Sequence, residues 1–386
     1  MATRKKPSSG LTVVDLFSGA GGLSLGAARA GFAVRGAVEL DAHAMRAHCI
    51  NFPQTVHLEK DVAAITGREL RAVFGLKNGG LAGLVGGPPC QGFSSIGRKE
   101  RNDPRNGLFV HFFRIVGETL PKFFLVENVP GILNERYTRL REDAFSHVYN
   151  RYTVLQPMRL SACEYGSPTT RTRVFFFGFL GTEMEGISLE DFKPPSNAER
   201  IRVRDALRGL PVRVSPLWQT EEESWRSVAR AGKGYYASRL QGHIPFGVGD
   251  AYALRRLRRE RKASGFLGTV HSEKVFRRIA KIAPGIRDAV SKCRRLDLDG
   301  FCPTLCAGTG PDRGKYQAIR PLHPTENRVI TPREAARLQG FPDWFQFSPT
   351  KWHSFRQIGN SVSPILAERI FAAIAKALGD GVTQRE

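Results

Sequence analysis

The sequence predicts an α/β protein built on a doubly wound sheet, with a second, smaller domain. Three observations carry that expectation. The chain opens on a strand, a glycine turn and a helix between Leu11 and Gly31. Carboxylates then stand at the ends of successive apolar runs, at Glu39, Asp61 and Glu127. The strand–helix rhythm breaks near residue 182, stays absent to about 300 and returns at the end.

Leu11 to Leu16 is the first strand, and Phe17-Ser18-Gly19-Ala20-Gly21-Gly22-Leu23 turns into a helix that Ala27, Ala28 and Ala30 continue and Gly31 ends. A helix N-terminus behind a glycine-rich turn favours an anionic group. The dinucleotide fingerprint G-x-G-x-x-G is not met, because Ser24 occupies its third glycine position. The second strand, Ala33 to Val38, runs into Glu39-Leu40-Asp41. An acid about twenty positions after the glycine turn is where doubly wound folds hold a ribose diol; the plainer alternative for Glu39 is a solvated carboxylate. The helix that follows carries His43, Met45 and His48, with the histidines expected at the surface. Val56 to Leu58 lead to Asp61 at the next strand end, placed for an adenine amino group.

Leu81 to Val85 reads as a buried strand end, followed by Gly86-Gly87-Pro88-Pro89-Cys90-Gln91-Gly92-Phe93-Ser94. The glycines allow a sharp turn and the prolines stiffen the loop beyond it. Such a loop holds Cys90 outward at the carboxyl edge of the sheet, where ligands bind in open α/β folds. A thiol there suits a nucleophile, whereas a cysteine that merely packs needs no rigid presenting loop. The polar stretch to Asn106, with Arg98 and Arg105, is either an ordinary surface loop or a lid that touches phosphates.

Leu108 to Leu120 has helical spacing, and Phe123 to Val126 is an apolar strand ending at Glu127-Asn128-Val129. A carboxylate there suits holding or delivering a proton, a capping acid being the alternative. Arg171 and Arg173 share a face in the strand period just before Val174 to Phe177. They fit a solvated sheet surface, or a grip on a phosphate or base edge. Glutamates and prolines from Glu183 to Pro195 suggest a linker. Beyond it, Trp218, Trp225, Tyr235, Tyr236 and Tyr252 lie among basic residues, with the sharpest charge run at Arg255-Arg256-Leu257-Arg258-Arg259. A charge run is usually a solvated face; interleaved with aromatics in so basic a chain, it reads as a nucleic-acid surface. Thr331, Pro332 and Glu334 spell a helix start, and Gly340 and Pro342 a stop. Asn360-Ser361 then leads into a last apolar helix, Ile365 to Leu378.

Composition narrows the function classes. The chain has 386 residues, 41% of them hydrophobic, enough for one large domain or two modest ones. A formal charge of +22 and a pI near 10.2 point to a polyanionic partner. The 6 cysteines form no CxxC pair and no disulfide framework; a zinc site from Cys293, Cys302 and Cys306 is the alternative to the expectation of no metal. Lacking a membrane-length apolar run and a secretory leader, the chain is expected to be soluble and intracellular, after a basic, disordered tail at Ala2 to Gly10.

Taken together, the glycine turn, Glu39, Asp61, the Pro-Pro-Cys loop, Glu127-Asn128-Val129, the two arginines, the Thr331 helix and the segment from Arg356 to Pro364 resemble the C5-cytosine DNA methyltransferase family, in that family's order along nearly the whole chain. One departure is Thr169, where the family's arginine motif usually begins with glutamine; it puts local rigidity in question more than activity. The resemblance implies a Rossmann-like, S-adenosylmethionine-dependent methyltransferase sheet formed discontinuously by residues 1–189 and 350–386. Residues 190–349, including the 331–342 helix, would be the target-recognition domain. It implies a donor pocket lined by Phe17, Gly19, Gly21, Gly22, Leu23, Glu39, Asp61, Pro88, Asn360 and Ser361, and catalytic roles for Cys90, Glu127, Arg171 and Arg173. DNA contacts would come from Ser94, Arg98, Arg105, Arg255, Arg256, Arg258 and Arg259.

The implied reaction is transfer of a methyl group to C5 of a cytosine flipped out of duplex DNA, through a Cys90–C6 adduct. The implied setting is a monomeric, cytoplasmic prokaryotic enzyme that acts on double-stranded DNA beside a restriction or defence system. Three rival readings are a transfer-RNA-modifying enzyme of the same fold, a DNA-binding module on an inactive fold, and a nicotinamide oxidoreductase. The long basic region argues against the first, the intact Cys90 and Glu127 against the second, and the broken dinucleotide fingerprint against the third.

Overall fold

Short apolar runs alternating with helical segments give, in chain order, β1 Thr12–Leu16, α1 Gly22–Arg29, β2 Ala33–Glu39, α2 Ala42–Asn51, β3 Val56–Glu59, α3 Gly67–Phe74, β4 Gly83–Gly86, α4 Gly107–Thr119, β5 Phe123–Asn128, α5 Thr138–Phe145, β6 Tyr152–Val154, β7 Met158–Ser161 and β8 Thr172–Leu180. These come from a computed structural model that describes residues 11–77, 80–89, 107–181, 184–218, 220, 222–307 and 320–379. The strands form one eight-stranded sheet in the order β3-β2-β1-β4-β5-β8-β6, with β7 also on β8. From β3 to β5 neighbours run parallel, and β8 pairs antiparallel with β5, β6 and β7.

Side chains alternate across the strands and so build two cores. Val13, Val85, Phe123, Leu125, Phe175 and Phe177 face one way, onto α1 and the C-terminal helix. Val14, Leu84, Phe124, Val126, Val174 and Phe176 face the other way, onto α3, α4 and α5. The expected doubly wound sheet is therefore present, with helices on both faces.

The second region is made of shorter pieces: α6 Val203–Leu207, β9 Arg226–Ser227, α7 Tyr235–Gln241, α8 Ala251–Arg255 running into a π turn at Arg256–Glu260, β10 Lys262–Ala263 and α9 Glu273–Ala280. Regular structure returns with α10 Pro332–Gln339, α11 Lys351–Asn360 and α12 Pro364–Ala377. Helix α10 starts with the expected capping box between Thr331 and Glu334 and ends at Gly340, whose φ is 94°. Every residue of α10 is buried, its two arginines included. Arg333 donates to the carbonyls of Ser264, Pro342 and Phe345. Arg337 pairs with the buried Asp343 at 2.7 Å and donates to the carbonyls of Ala206 and Arg208. A third core joins Ala20, Leu25 and Phe52 to Leu240, Leu254, Phe341 and Trp344, so this region packs on α1 and α2. Among the described residues, no helix is long and apolar enough to cross a membrane.

Candidate active site

The chain steps outward from β1 to β2 and β3, then crosses to β4 on the other side of β1. Ligands of open α/β sheets bind beyond the carboxyl ends of the strands at such a reversal. The loops after β1 and β4, Phe17 to Gly21 and Gly87 to Pro89, stand at that point. Phe17 has a left-handed backbone, φ 60°, which a bulky residue adopts only when its surroundings impose it. Gly19 also has positive φ, and a Cβ built on it would meet nothing within 4 Å. At Gly22 the opposite holds: a Cβ would come within 2.4 Å of the Val362 carbonyl oxygen. The segment before α12 thus lies directly on the first turn of α1, and Leu23 is buried beside it.

Glu39, at the end of β2, closes over this turn. Its Oε2 accepts the Gly19 N–H at 2.8 Å, and its Oε1 accepts those of Leu40 and Asp41 at 2.9 and 2.8 Å. Burial raises its pKa above the ordinary carboxylate value, against the pull of these donors. Asp61 is exposed beyond β3, with Oδ1 accepting the Ala63 N–H. Ser361 is buried and its carbonyl accepts from Gln339 at 2.7 Å, while Asn360 is exposed.

On the other side of the reversal, Asn128 donates to the Pro88 carbonyl at 3.5 Å and ties the end of β5 to the buried proline of the β4 loop. Glu127 is buried, and its Oε2 would lie 3.1 Å from a Cβ on Gly87. Its Oε1 is 2.7 Å from Nε of Arg173. The register explains the pair: Glu127 stands opposite Phe175, so Arg173 is its diagonal neighbour on the same face. Arg171 does not join them. It is buried and donates to the carbonyls of Leu305 at 3.1 Å and Asn360 at 3.2 Å, which fixes two distant segments. Thr169, at the usual glutamine position, is buried and accepts the Arg171 N–H at 3.3 Å. Cys90, Ser94, Arg98 and Arg105, with the expected lid up to Asn106, lie outside the described residues.

Sequence reasoning missed a buried polar chain behind the glycine turn. His48, expected at the surface, is fully buried on α2. Its Nε2 lies 3.0 Å from Ser24 Oγ and its Nδ1 2.9 Å from His57 Nε2. Ser24 donates to Asp15 Oδ2 at 2.6 Å. Asp15 is fully buried, its pKa pushed up to about 7 mainly by that burial, and its Oδ1 has no hydrogen-bond partner among the described residues. A second correction concerns the arginine run. Arg255, Arg258 and Arg259 are exposed, but Arg256 is buried. Its Nη atoms hold Glu222 at 2.7–2.8 Å, its Nε lies 2.9 Å from Glu260, and its guanidinium stacks over Trp225. Arg256 thus braces this region through Glu222 and Glu260, unlike its exposed neighbours.

A largely parallel sheet with an order reversal, a glycine turn and an acidic strand end make up a Rossmann-like α/β fold. The solved structures it resembles are methyltransferases. One is a prophage-encoded protein of E. coli described as a DNA modification methyltransferase, with TM-score 0.87 and 48% identity over 96% of this chain and 99% of that one. Another is S. pombe Dnmt2, with TM-score 0.59 and 18% identity over 96% and 98%, a likeness of fold alone. The type II methyltransferase M.XorII of Xanthomonas oryzae pv. oryzae is 41% identical over 369 residues, 95% of this chain and 84% of that protein. The model of the C-5 cytosine-specific DNA methylases matches residues 11–376, and the chain belongs to that family. It is a DNA (cytosine-5) methyltransferase, and the family implies S-adenosylmethionine as its methyl donor and DNA as its substrate.

Proposed function

We propose that the crevice between the β1 and β4 loops binds S-adenosylmethionine and a cytosine flipped out of duplex DNA, and that Cys90 attacks the base. The observation that carries this reading is the convergence of the glycine turn, Glu39, the Pro-Pro loop and the Glu127–Arg173 pair on one edge of the sheet. The residues suit the donor. Open space over Gly19 admits it, Glu39 offers carboxylate oxygens to a ribose diol, and the unpartnered Asp15 Oδ1 is an acceptor suited to a cationic group. Phe17, Gly21, Gly22, Leu23, Asp61, Pro88, Asn360 and Ser361 complete the pocket in this reading.

When bound, the donor supplies an electrophilic methyl group on a sulfonium. The chain's own residues do the rest. The Cys90 thiolate forms a bond to C6 of the cytosine, which makes C5 nucleophilic. Glu127 hydrogen-bonds or protonates N3 and holds the exocyclic amine, and Arg173 fixes Glu127 and steadies the base oxygen. Once C5 has gained the methyl group, loss of its proton expels the cysteine and breaks the C6–S bond. Arg171 acts as a positioning residue, through the Leu305 and Asn360 carbonyls. We further propose that residues 1–189 and 350–386 form the catalytic part and 190–349 the target-recognition part, that the enzyme works as a cytoplasmic monomer, and that it protects DNA beside a restriction or defence system, as its type II relatives suggest.

The test is bisulfite sequencing of DNA from a methylation-free host that expresses the chain, beside a Cys90→Ala control. The expected result is 5-methylcytosine in one short recurring context, absent from the control, while Cys90→Ala still binds DNA. Undiminished methylation by Cys90→Ala would sink the nucleophile assignment.

A further inference from the structure

We propose that α9 and the turn that follows it form the surface that grips and reads the DNA, in place of the arginine run at 255–259. The inference rests on the DNA-methylating reading above and names the part of the chain that meets the substrate's sequence.

Helix α9 is capped by Ser272 and buries Ile279, with Val275 and Ile282 packed beside it on a small satellite core with Cys293 and Leu322. That face takes up Val275, Ile279 and Ile282, while Phe276 stays 47% exposed. Lys274, Arg277 and Lys281, three and four positions apart, make an exposed stripe on another face. The one acid on the helix, Glu273, pairs with Arg277 at 2.7 Å; both side chains are more than two-thirds exposed, so a phosphate can replace it at little cost. The next turn is fixed to the helix. Arg278 lies 3.3 Å from Asp288 and Arg295 donates to the Ile279 carbonyl, while a backbone β-bridge between Arg287 and Arg294 closes the turn itself. Asp288, buried in the turn, accepts the Val290 and Ser291 N–H groups, so its charge is used internally. What the turn presents outward is Ile286 at 57% exposure and Val290 at 68%, flanked by exposed Arg287 and Lys292.

Two large aliphatic side chains held in water on a hydrogen-bonded turn, with cations on either side, suit an interaction surface. The charges fix the partner as a polyanion, which for this enzyme is its DNA. Lys274, Arg277, Lys281, Arg287 and Lys292 suit phosphates. Ile286 and Val290 suit base edges, where aliphatic groups meet the thymine methyl or wedge at a base step. The arginine run offers less: Arg256 is locked inside, and no aliphatic group of comparable exposure is present between Arg255 and Arg259.

The test compares wild type, a Lys274→Ala/Arg277→Ala/Lys281→Ala variant and an Ile286→Ser/Val290→Ser variant. All five side chains are exposed, so the fold should persist, and S-adenosylmethionine affinity serves as the check. Fluorescence anisotropy on duplex DNA at several salt concentrations gives the slope of log affinity against log salt. The triple variant is expected to flatten that slope by about 0.9 for each phosphate no longer held, about 2.7 in all. The Ile286→Ser/Val290→Ser variant is expected to keep the slope and widen the set of methylated contexts in bisulfite sequencing. An unchanged slope and an unchanged context would overturn the proposal and leave the methyltransferase reading standing. If wild type failed to bind DNA at any salt, both would fall. If the variants only converted a dimer into monomers by light scattering, with the slope intact, the surface would join two copies and the proposal would be wrong.

Discussion

The sheet and the region between β8 and α12 are held together by different physics. In the sheet, Phe123 to Val126 and Val174 to Phe177 bury apolar side chains on both faces, and polar groups gather at the strand ends. In the second region buried arginines cross-link loops: Arg295, Arg328, Arg333 and Arg337 donate to the distant carbonyls of Ile279, Val212, Ser264 and Ala206. The first region is specified by periodicity and tolerates volume-conserving exchange. The second is specified by directed hydrogen bonds, and each arginine is a single point of failure. That division also suits the work: a regular sheet edge places reacting groups, while an irregular, pinned region can present a surface of arbitrary shape.

The largest expected effect breaks the second region at one point. Arg337 and Asp343 are both fully buried and paired; burial alone would raise the Asp343 carboxyl, but the Arg337 guanidinium beside it holds it below its ordinary value. Removing only the arginine, as Arg337→Leu, leaves a buried carboxylate without its cation and is expected to cost about 3–5 kcal/mol. Adding Asp343→Leu should recover most of that loss, because no charge is then stranded. Urea unfolding of the two single variants and the double variant measures the coupling. Equal losses in Arg337→Leu and the double variant would show that packing, not the ion pair, carries the effect.

The second expected effect lies behind the donor turn and depends on pH. Asp15 ionises at about 7 in the folded chain, against 3.8 for the ordinary group, because burial disfavours its charge. Between those values the folded state keeps a proton that the unfolded state has released. This group's contribution to stability therefore falls as pH rises from about 4 to 7, by about 1.4 kcal/mol per pH unit at most, and is flat above 7. Asp15→Asn cannot ionise and should remove that slope. If Asp15 receives a cationic part of the donor, binding should also release a proton and strengthen from pH 6 to 8 in wild type alone. Calorimetry at the two values, with both chains, reads that difference.

A third effect tests how the C-terminal segment returns to the donor turn. Gly22→Ala puts a Cβ 2.4 Å from the Val362 carbonyl oxygen, backbone that cannot rotate away. The expected cost is about 1–3 kcal/mol of stability, with a larger proportional loss of S-adenosylmethionine affinity, because the segment carrying Ser361 is pushed off the pocket. Gly19→Ala, with open space ahead of its Cβ but φ 55°, should strain the backbone without moving that segment. Equal donor affinity in wild type and Gly22→Ala would separate the C-terminal segment from the donor site.

Legibility in the sequence divides along the same line. The strands, the glycine turn, Glu39 at a strand end and the start of α10 are written in local chemistry, within a few residues of where they act. His48 was not legible, because the partner that buries it, Ser24, lies 24 residues away across two elements. Arg256 read as one of four equivalent charges, and its partner Glu222 lies 34 residues upstream. Arg171 and Arg173 looked alike in the strand period, yet β8 begins only at Thr172. The regular strand places Arg173 on Glu127, and the loop before it sends Arg171 to Leu305 and Asn360. Local pattern set where an arginine stands, and long-range partners set what it does.

The smallest expected effect sharpens that last point, because it removes a feature the sequence displayed openly. Thr331 caps α10: its Oγ1 accepts the Glu334 N–H at 3.3 Å, and Glu334 Oε2 accepts the Thr331 N–H at 2.6 Å. Thr331→Ala deletes the first bond, together with the one that Oγ1 donates to Glu334 Oε2 at 3.1 Å, and leaves the second. Glu334 also keeps Arg328, which donates to both its oxygens at 2.8 and 2.9 Å, so no buried carboxylate is stranded. The loss should be about 1 kcal/mol, a few degrees of thermal midpoint at most, with methylation unchanged. Glu334→Ala, by contrast, strands Arg328 and should cost several times more. If the two variants melted together, α10 would be held by its cap rather than by the arginine network, and the two regions would differ less in their physics than their side chains indicate.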